Sequence, residues 1–108
     1  MKCGSFSGKG HKHTRNGNFD DALNCYQKAL SYSDNEGGNA ILLECIARSY
    51  ARLGKIDMAL LEAEKCISKL ENLDCHEPGF KNTKARVAAL INALENRDKN
   101  KINQLLNI

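Results

Sequence analysis

Residues Asn16–Leu30 return in altered form at Leu53–Ile67. The offset is 37 residues, and it superimposes Gly17 on Gly54, Asp20 on Asp57, Ala22 on Ala59, Leu23 on Leu60 and Lys28 on Lys65. Phe19 meets Ile56, Gln27 meets Glu64 and Leu30 meets Ile67, which are conservative exchanges. A self-match at this period marks a repeat array, in which one unit buries its apolar face only by stacking on the next. The glycines end helices, because a residue in the left-handed conformation is cheapest as glycine.

The chain around the two copies reads as helix. It has no Trp and one Pro, and β-branched residues are few, so propensity favours helix over strand. A first helix is expected to run to about Asn16, weakened by Gly8 and Gly10, each costing up to about 1 kcal/mol relative to Ala. In the second helix, Ala22, Leu23, Tyr26, Ala29 and Leu30 follow the spacing of one buried face. The Ser33–Gly38 stretch reads as a turn, with Asn39 as N-cap of a third helix from Ala40 to Leu53. Leu42, Leu43, Ile46, Ala47 and Tyr50 are its inner face. A fourth helix is expected from Ile56 to Leu73, with Ala59, Leu60, Ala63, Cys66, Ile67 and Leu70 inward. Pro78 fits the first turn of a fifth helix, which runs to about Glu95 with Ala85, Ala88, Ala89, Ile91 and Leu94 inward. Ile102, Leu105 and Leu106 offer a short last amphipathic segment.

The run Gly17-Asn-Phe-Asp-Asp-Ala-Leu-x-x-Tyr-x-Lys-Ala-Leu30 resembles the second half of a tetratricopeptide repeat (TPR). Leu43, Ile46, Ala47, Tyr50, Gly54, Ile56, Asp57, Ala59, Leu60 and Ile67 stand where a second repeat wants such residues. The family period is about 34 residues, and the longer offset is absorbed in the Ser33–Gly38 turn. The resemblance covers roughly Cys3–Leu73. It implies an all-α fold, an α-solenoid of antiparallel helix pairs, with repeat one at about 3–36 and repeat two at about 40–73. Beyond Pro78, Ala85-Arg-Val-Ala-Ala-Leu90 looks like the first helix of a third repeat, but no Gly-x-x-Asp-x-Ala turn follows. A capping helix and tail at about 78–108 are the expectation, since the last unit of a stack must cover its neighbour's apolar face.

The resemblance also implies a protein-interaction scaffold whose concave groove is lined by the first helix of each pair. In that register the groove displays Ser7, His11, Thr14 and Arg15, then Ile41, Glu44, Cys45, Arg48, Ala51 and Arg52. Arg86 and Asn82 follow from the fifth helix. Glu44, Arg48 and Arg52 are four apart and share a helical face. The bland alternative is a solvated charged stripe with a Glu44–Arg48 pair worth a few tenths of a kcal/mol at about one turn's spacing. The best candidates are His11, Arg15, Glu44, Arg48, Arg52 and Arg86. Their excess of positive charge favours an acidic peptide or partner segment. The family's carboxylate clamp for heat-shock-protein tails is not expected, because Ser7, His11, Cys45 and Asn82 do not supply its residues and Arg86 alone matches.

Other chemistries find little footing. No nucleophile elbow, phosphate loop or carboxylate pair stands out, so no enzyme activity is expected. Cys3, His11, His13, Cys75 and His76 lack metal-ligand spacing, and no metal or other cofactor is expected. A net charge of +3 without a basic block argues against nucleic acid. The longest apolar runs are too short to span a bilayer. Met1–Gly10 lacks the apolar core of a signal peptide. Five cysteines without paired spacing suit a reducing compartment, so a cytoplasmic location is expected. A homo-oligomer is the alternative, with Ile102, Leu105 and Leu106 docking into a neighbour's groove.

Overall fold

The structure, a computed structural model, describes residues 2–72 and 78–106. Among them the fold is all-α, with six helices and no strand: α1 (Lys2–Arg15), α2 (Phe19–Tyr32), α3 (Glu36–Arg52), α4 (Ile56–Asn72), α5 (Pro78–Glu95) and α6 (Lys99–Leu106). Leu73, Cys75 and His76 lie outside the described residues. No helix among the described residues is long and apolar enough to cross a membrane.

Consecutive helices pack on one another. Phe6 stacks on Tyr32 while His11 meets Tyr26, so α1 and α2 run antiparallel. Lys69 bonds Glu36 and the Cys66 thiol donates to the Ala40 carbonyl, so α3 and α4 do the same. Gly37 lies against Phe80 and Glu44 against Arg86, which sets α5 parallel to α3.

Gly17 and Gly54 have φ of +80° and +78°, the left-handed residues that the repeat requires. In both turns the third residue past the helix end reaches back over a six-residue span: Asn18 N–H donates to His13 O at 2.8 Å and Lys55 N–H to Tyr50 O at 2.9 Å. The same turn occurs a third time. Asp98 N–H donates to Ala93 O at 3.1 Å, and Arg97 takes the left-handed place with φ of 50°. With this turn, α5 and the short amphipathic segment expected at Ile102–Leu106, α6, form a third helix–turn–helix. Its turn was hidden because Arg97 stands where glycine is usual and Ile102 where Ala22 and Ala59 stand. Asp98 Oδ1 accepts from Lys101 N–H at 3.2 Å, which caps α6.

Two further boundaries and faces differ from expectation. The third helix starts at Glu36, not Ala40, because Asn35 is its N-cap and accepts from Gly38 N–H at 2.8 Å. A Cβ on Gly37 would lie 2.8 Å from Phe80 Cζ, so glycine lets α5 approach that first turn. In α5, Ala85, Ala88 and Ala89 are exposed, and Thr83, Val87, Leu90, Ala93 and Leu94 are buried. Burying a large aliphatic side chain is worth about 1.5–3 kcal/mol. Alanine offers far less area, so the large residues set the helix's rotation.

The core forms two clusters. One joins Ala22, Leu23 and Tyr26 to Ile46, Tyr50, Leu90, Leu94, Ile102 and Leu106, and the other joins Ala40, Leu43 and Ala47 to Ala63, Cys66, Leu70 and Val87. Small residues are packed between the helices: Ala22, Ala29, Ala59, Ala63 and Cys66 are all fully buried. The α6 helix packs on α5 and α3. Ile102 and Leu106 are buried within the chain, and so is Ala51. Ala51 belongs to the face expected to line the groove; it lies in the core cluster with Ile102 and Leu106.

Glycines in α1 separate into two kinds. A Cβ on Gly10 would lie 2.6 Å from Tyr26 Cε1, whereas one on Gly8 meets nothing within 4 Å. Gly8→Ala is expected to raise stability by about 1 kcal/mol through helix propensity. Gly10→Ala is expected to lower it by about 1–2 kcal/mol, because Tyr26 is buried and its ring must move. Urea denaturation of both variants checks this; a gain for both would mean that the Gly10–Tyr26 approach is not tight.

Candidate functional site

A pocket of about 290 Å³ opens where α1, α2, α3 and α5 converge, lined by His11, Thr14, Tyr26, Glu44, Cys45, Arg48, Arg52 and Arg86. Helical spacing explains the α3 contribution. Glu44, Arg48 and Arg52 recur one turn apart and Cys45 lies beside Glu44, so one face delivers all four.

The α1 and α2 wall is a chain of hydrogen bonds. Thr14 Oγ1 donates its single proton to Gly10 O at 3.0 Å. Thr14 Oγ1 also lies 3.2 Å from the Tyr26 hydroxyl, within hydrogen-bond distance. Tyr26 Oη also shares a hydrogen bond with His11 Nδ1 at 2.8 Å. Burial raises the Tyr26 hydroxyl above its ordinary pKa, so it stays neutral at neutral pH. The short approach of Tyr26 to α1 depends on Gly10. At an offset of 37 residues, Gly10 and Tyr26 correspond to Ala47 and Ala63, so the second copy has no counterpart of this tyrosine.

On the opposite wall, Arg86 grips Glu44 with two parallel bonds, Nε to Oε2 and Nη2 to Oε1, both 3.1 Å. Arg86 Nη2 also donates to Thr83 Oγ1 at 3.1 Å. The bond to Glu44 raises the guanidinium above its usual pKa. The side chain of Glu44 is 8% exposed and that of Arg86 is 54% exposed. The carboxylate thus forms the floor, and its charge is matched in place. The intrahelical Glu44–Arg48 pair does not form: Glu44 pairs with Arg86 of α5, and Arg48 is engaged elsewhere.

Arg48 and Arg52 are held differently. Arg48 Nη2 donates to Leu105 O at 2.8 Å, and Arg52 Nη2 donates to Leu106 O at 3.2 Å. Both acceptors are carbonyls at the C-terminal end of α6, where the helix dipole is negative. Arg52 also lies 5.5 Å from the centroid of the Phe19 ring. Burial, and then the neighbouring Arg48 charge, lower Arg52 below its ordinary pKa. Among the described residues, no carboxylate forms an ion pair with either arginine.

Two thiols are close to the site and inert. Burial pushes Cys45 up to about 11 and Cys66 up to about 12, so both are protonated at neutral pH. Among the described residues, no group of three or more His, Cys, Asp or Glu side chains is placed to hold a metal.

Of the candidates from sequence, His11, Glu44, Arg48, Arg52 and Arg86 come together, along with Thr14 and Cys45. Arg15 does not: it is exposed on the last turn of α1, outside the pocket. Ser7, Ile41 and Asn82 do not line it either. Tyr26 was missed because its ring belongs to the core; only its hydroxyl reaches the groove. A second pocket of about 460 Å³ lies beyond Arg52, between Ala51, Ile56 and Ile102. It opens at the third turn, where Lys99 stands at the place that Phe19 and Ile56 hold in the first two. No family model, curated protein or solved structure matches the chain.

Proposed function

We propose that this chain is a TPR-type interaction module, a short α-solenoid that holds an acidic segment of a partner protein in the pocket between α1, α3 and α5. The repeated left-handed turn after α1, α3 and α5 supports the repeat reading, as do the small residues at the crossings. One observation carries the functional part: Arg48 and Arg52 are anchored by neutral carbonyls and have no acid partner among the described residues. A guanidinium has five N–H donors, so each keeps donors for a ligand carboxylate. Concave walls of low dielectric focus the positive field outward. No catalysis is assigned to the module. Self-assembly through the last helix loses its motive, since Ile102 and Leu106 are already buried in cis.

The test uses a labelled peptide of alternating Asp and Gly, read by fluorescence polarisation against a Lys–Gly control. The acidic peptide is expected to bind and the basic one not. Affinity should fall as salt rises, mainly through slower association. The Arg48→Glu, Arg52→Glu double variant, with helicity checked by circular dichroism, should lose affinity at least about tenfold. Unchanged binding by the folded double variant would remove this pocket as the site.

A further inference from the structure

The pocket's charges sum in an informative way. Glu44 and Arg86 cancel as a forked pair. Tyr26 and Cys45 are neutral, since burial raises both. Beside the His11 imidazole, Arg48 and Arg52 remain, two guanidinium charges held still by the α6 carbonyls but not neutralised by them. Anchoring of this kind removes the cost of ordering long side chains when a ligand arrives. A single aspartate or glutamate would balance one of the two arginines and leave the other in a half-buried place without a counter-charge. A phosphate monoester carries about −1.5 to −2 at pH 7 and three acceptor oxygens. It balances both arginines and can take a fork from each. The pocket volume, about 290 Å³, is at the low end for ligand sites and suits one anionic head group.

We propose that the group bound here is the phosphate monoester of a phosphorylated residue in the partner segment. This deepens the acidic-segment reading of the same pocket and rests on it. Arg48 and Arg52 grip the phosphate oxygens, and Glu44 tempers the site by holding Arg86 back. Free inorganic phosphate presents the same chemistry, so the test separates the two sources.

Intact protein is titrated with three labelled peptides of identical Ala–Gly flanks, carrying phosphoserine, glutamate or serine at the centre, and separately with inorganic phosphate as competitor. The phosphoserine peptide is expected to bind at least about tenfold tighter than the glutamate peptide, and the serine peptide not to bind measurably. Arg48→Lys keeps the charge but loses the fork, and should weaken the phosphopeptide several-fold while circular dichroism stays unchanged. Glu44→Gln frees the charge of Arg86 and should strengthen it, an effect opposite to that of mere structural damage. If the glutamate peptide binds as tightly, the phosphate assignment fails and the acidic-segment reading survives. Should none of the three peptides bind, the phosphate assignment fails, and the alternating Asp–Gly peptide decides the acidic-segment reading separately. If inorganic phosphate binds as tightly as the phosphopeptide, the partner segment contributes nothing and the assignment to a phosphorylated residue is overturned.

Discussion

Arg86→Met is expected to lower the free energy of unfolding by about 2–3 kcal/mol. The loss comes from the residue that stays behind. Glu44 has a side chain only 8% exposed, and without Arg86 its carboxylate keeps no charged partner on α5. Removing one member of a buried pair typically costs about 3–5 kcal/mol. The figure here is smaller because Arg86 is 54% exposed and water reaches the pocket. Removing both charges is different. The Glu44→Leu, Arg86→Met double variant should regain most of the loss, since an apolar floor needs no partner. Urea denaturation of the four proteins in the cycle gives the coupling directly. If the double variant is as unstable as Arg86→Met, the cost lies in the packing of the arginine stem rather than in the stranded carboxylate.

The second large effect concerns α6. Ile102→Ala and Leu106→Ala each delete a side chain that is 5% or less exposed, and each is expected to cost about 2–4 kcal/mol. The two losses should not add. An eight-residue helix is unstable alone in water, so α6 keeps its shape only while docked on α3 and α5. Once one substitution has used up its docking free energy, α6 opens locally and the second substitution finds little left to remove. Hydrogen exchange should therefore rise first in the α6 amides, with α3 still protected. Full additivity together with uniform exchange would mean that α6 opens only with the whole fold. Releasing α6 also releases the carbonyls that hold Arg48 and Arg52, so the same variants should weaken the acidic ligand.

Much of the fold was legible because its determinants are local. The left-handed turns at Gly17 and Gly54 announce themselves, since glycine is cheapest at positive φ and the following Asp-x-Ala opens a helix. Ala22, Ala59 and Cys66 mark the crossings by size alone. The candidate site was partly legible for the same reason. A spacing of four puts Glu44, Arg48 and Arg52 on one face of α3 whatever surrounds it, and His11 with Thr14 shares one face of α1.

The tertiary structure decided what those faces meet. Alanines at 85, 88 and 89 suggested one rotation of α5, but the larger gain from burying Val87, Leu90 and Leu94 selected another. Arg97 accepts a left-handed conformation that its residue type disguises, so the third turn was invisible in the one-dimensional pattern. Glu44 could pair with Arg48 four residues away, yet it pairs with Arg86, separated by 42 residues, because the fold brings a full guanidinium fork to its carboxylate. Arg48 and Arg52 receive the end of α6 over separations of 57 and 54 residues. Which side chains share each helix face follows from residue order alone, since helical geometry and turn sterics act between near neighbours. Which faces meet, and hence which charges are cancelled and which are left for a ligand, was settled only when distant helices competed for the same apolar contacts.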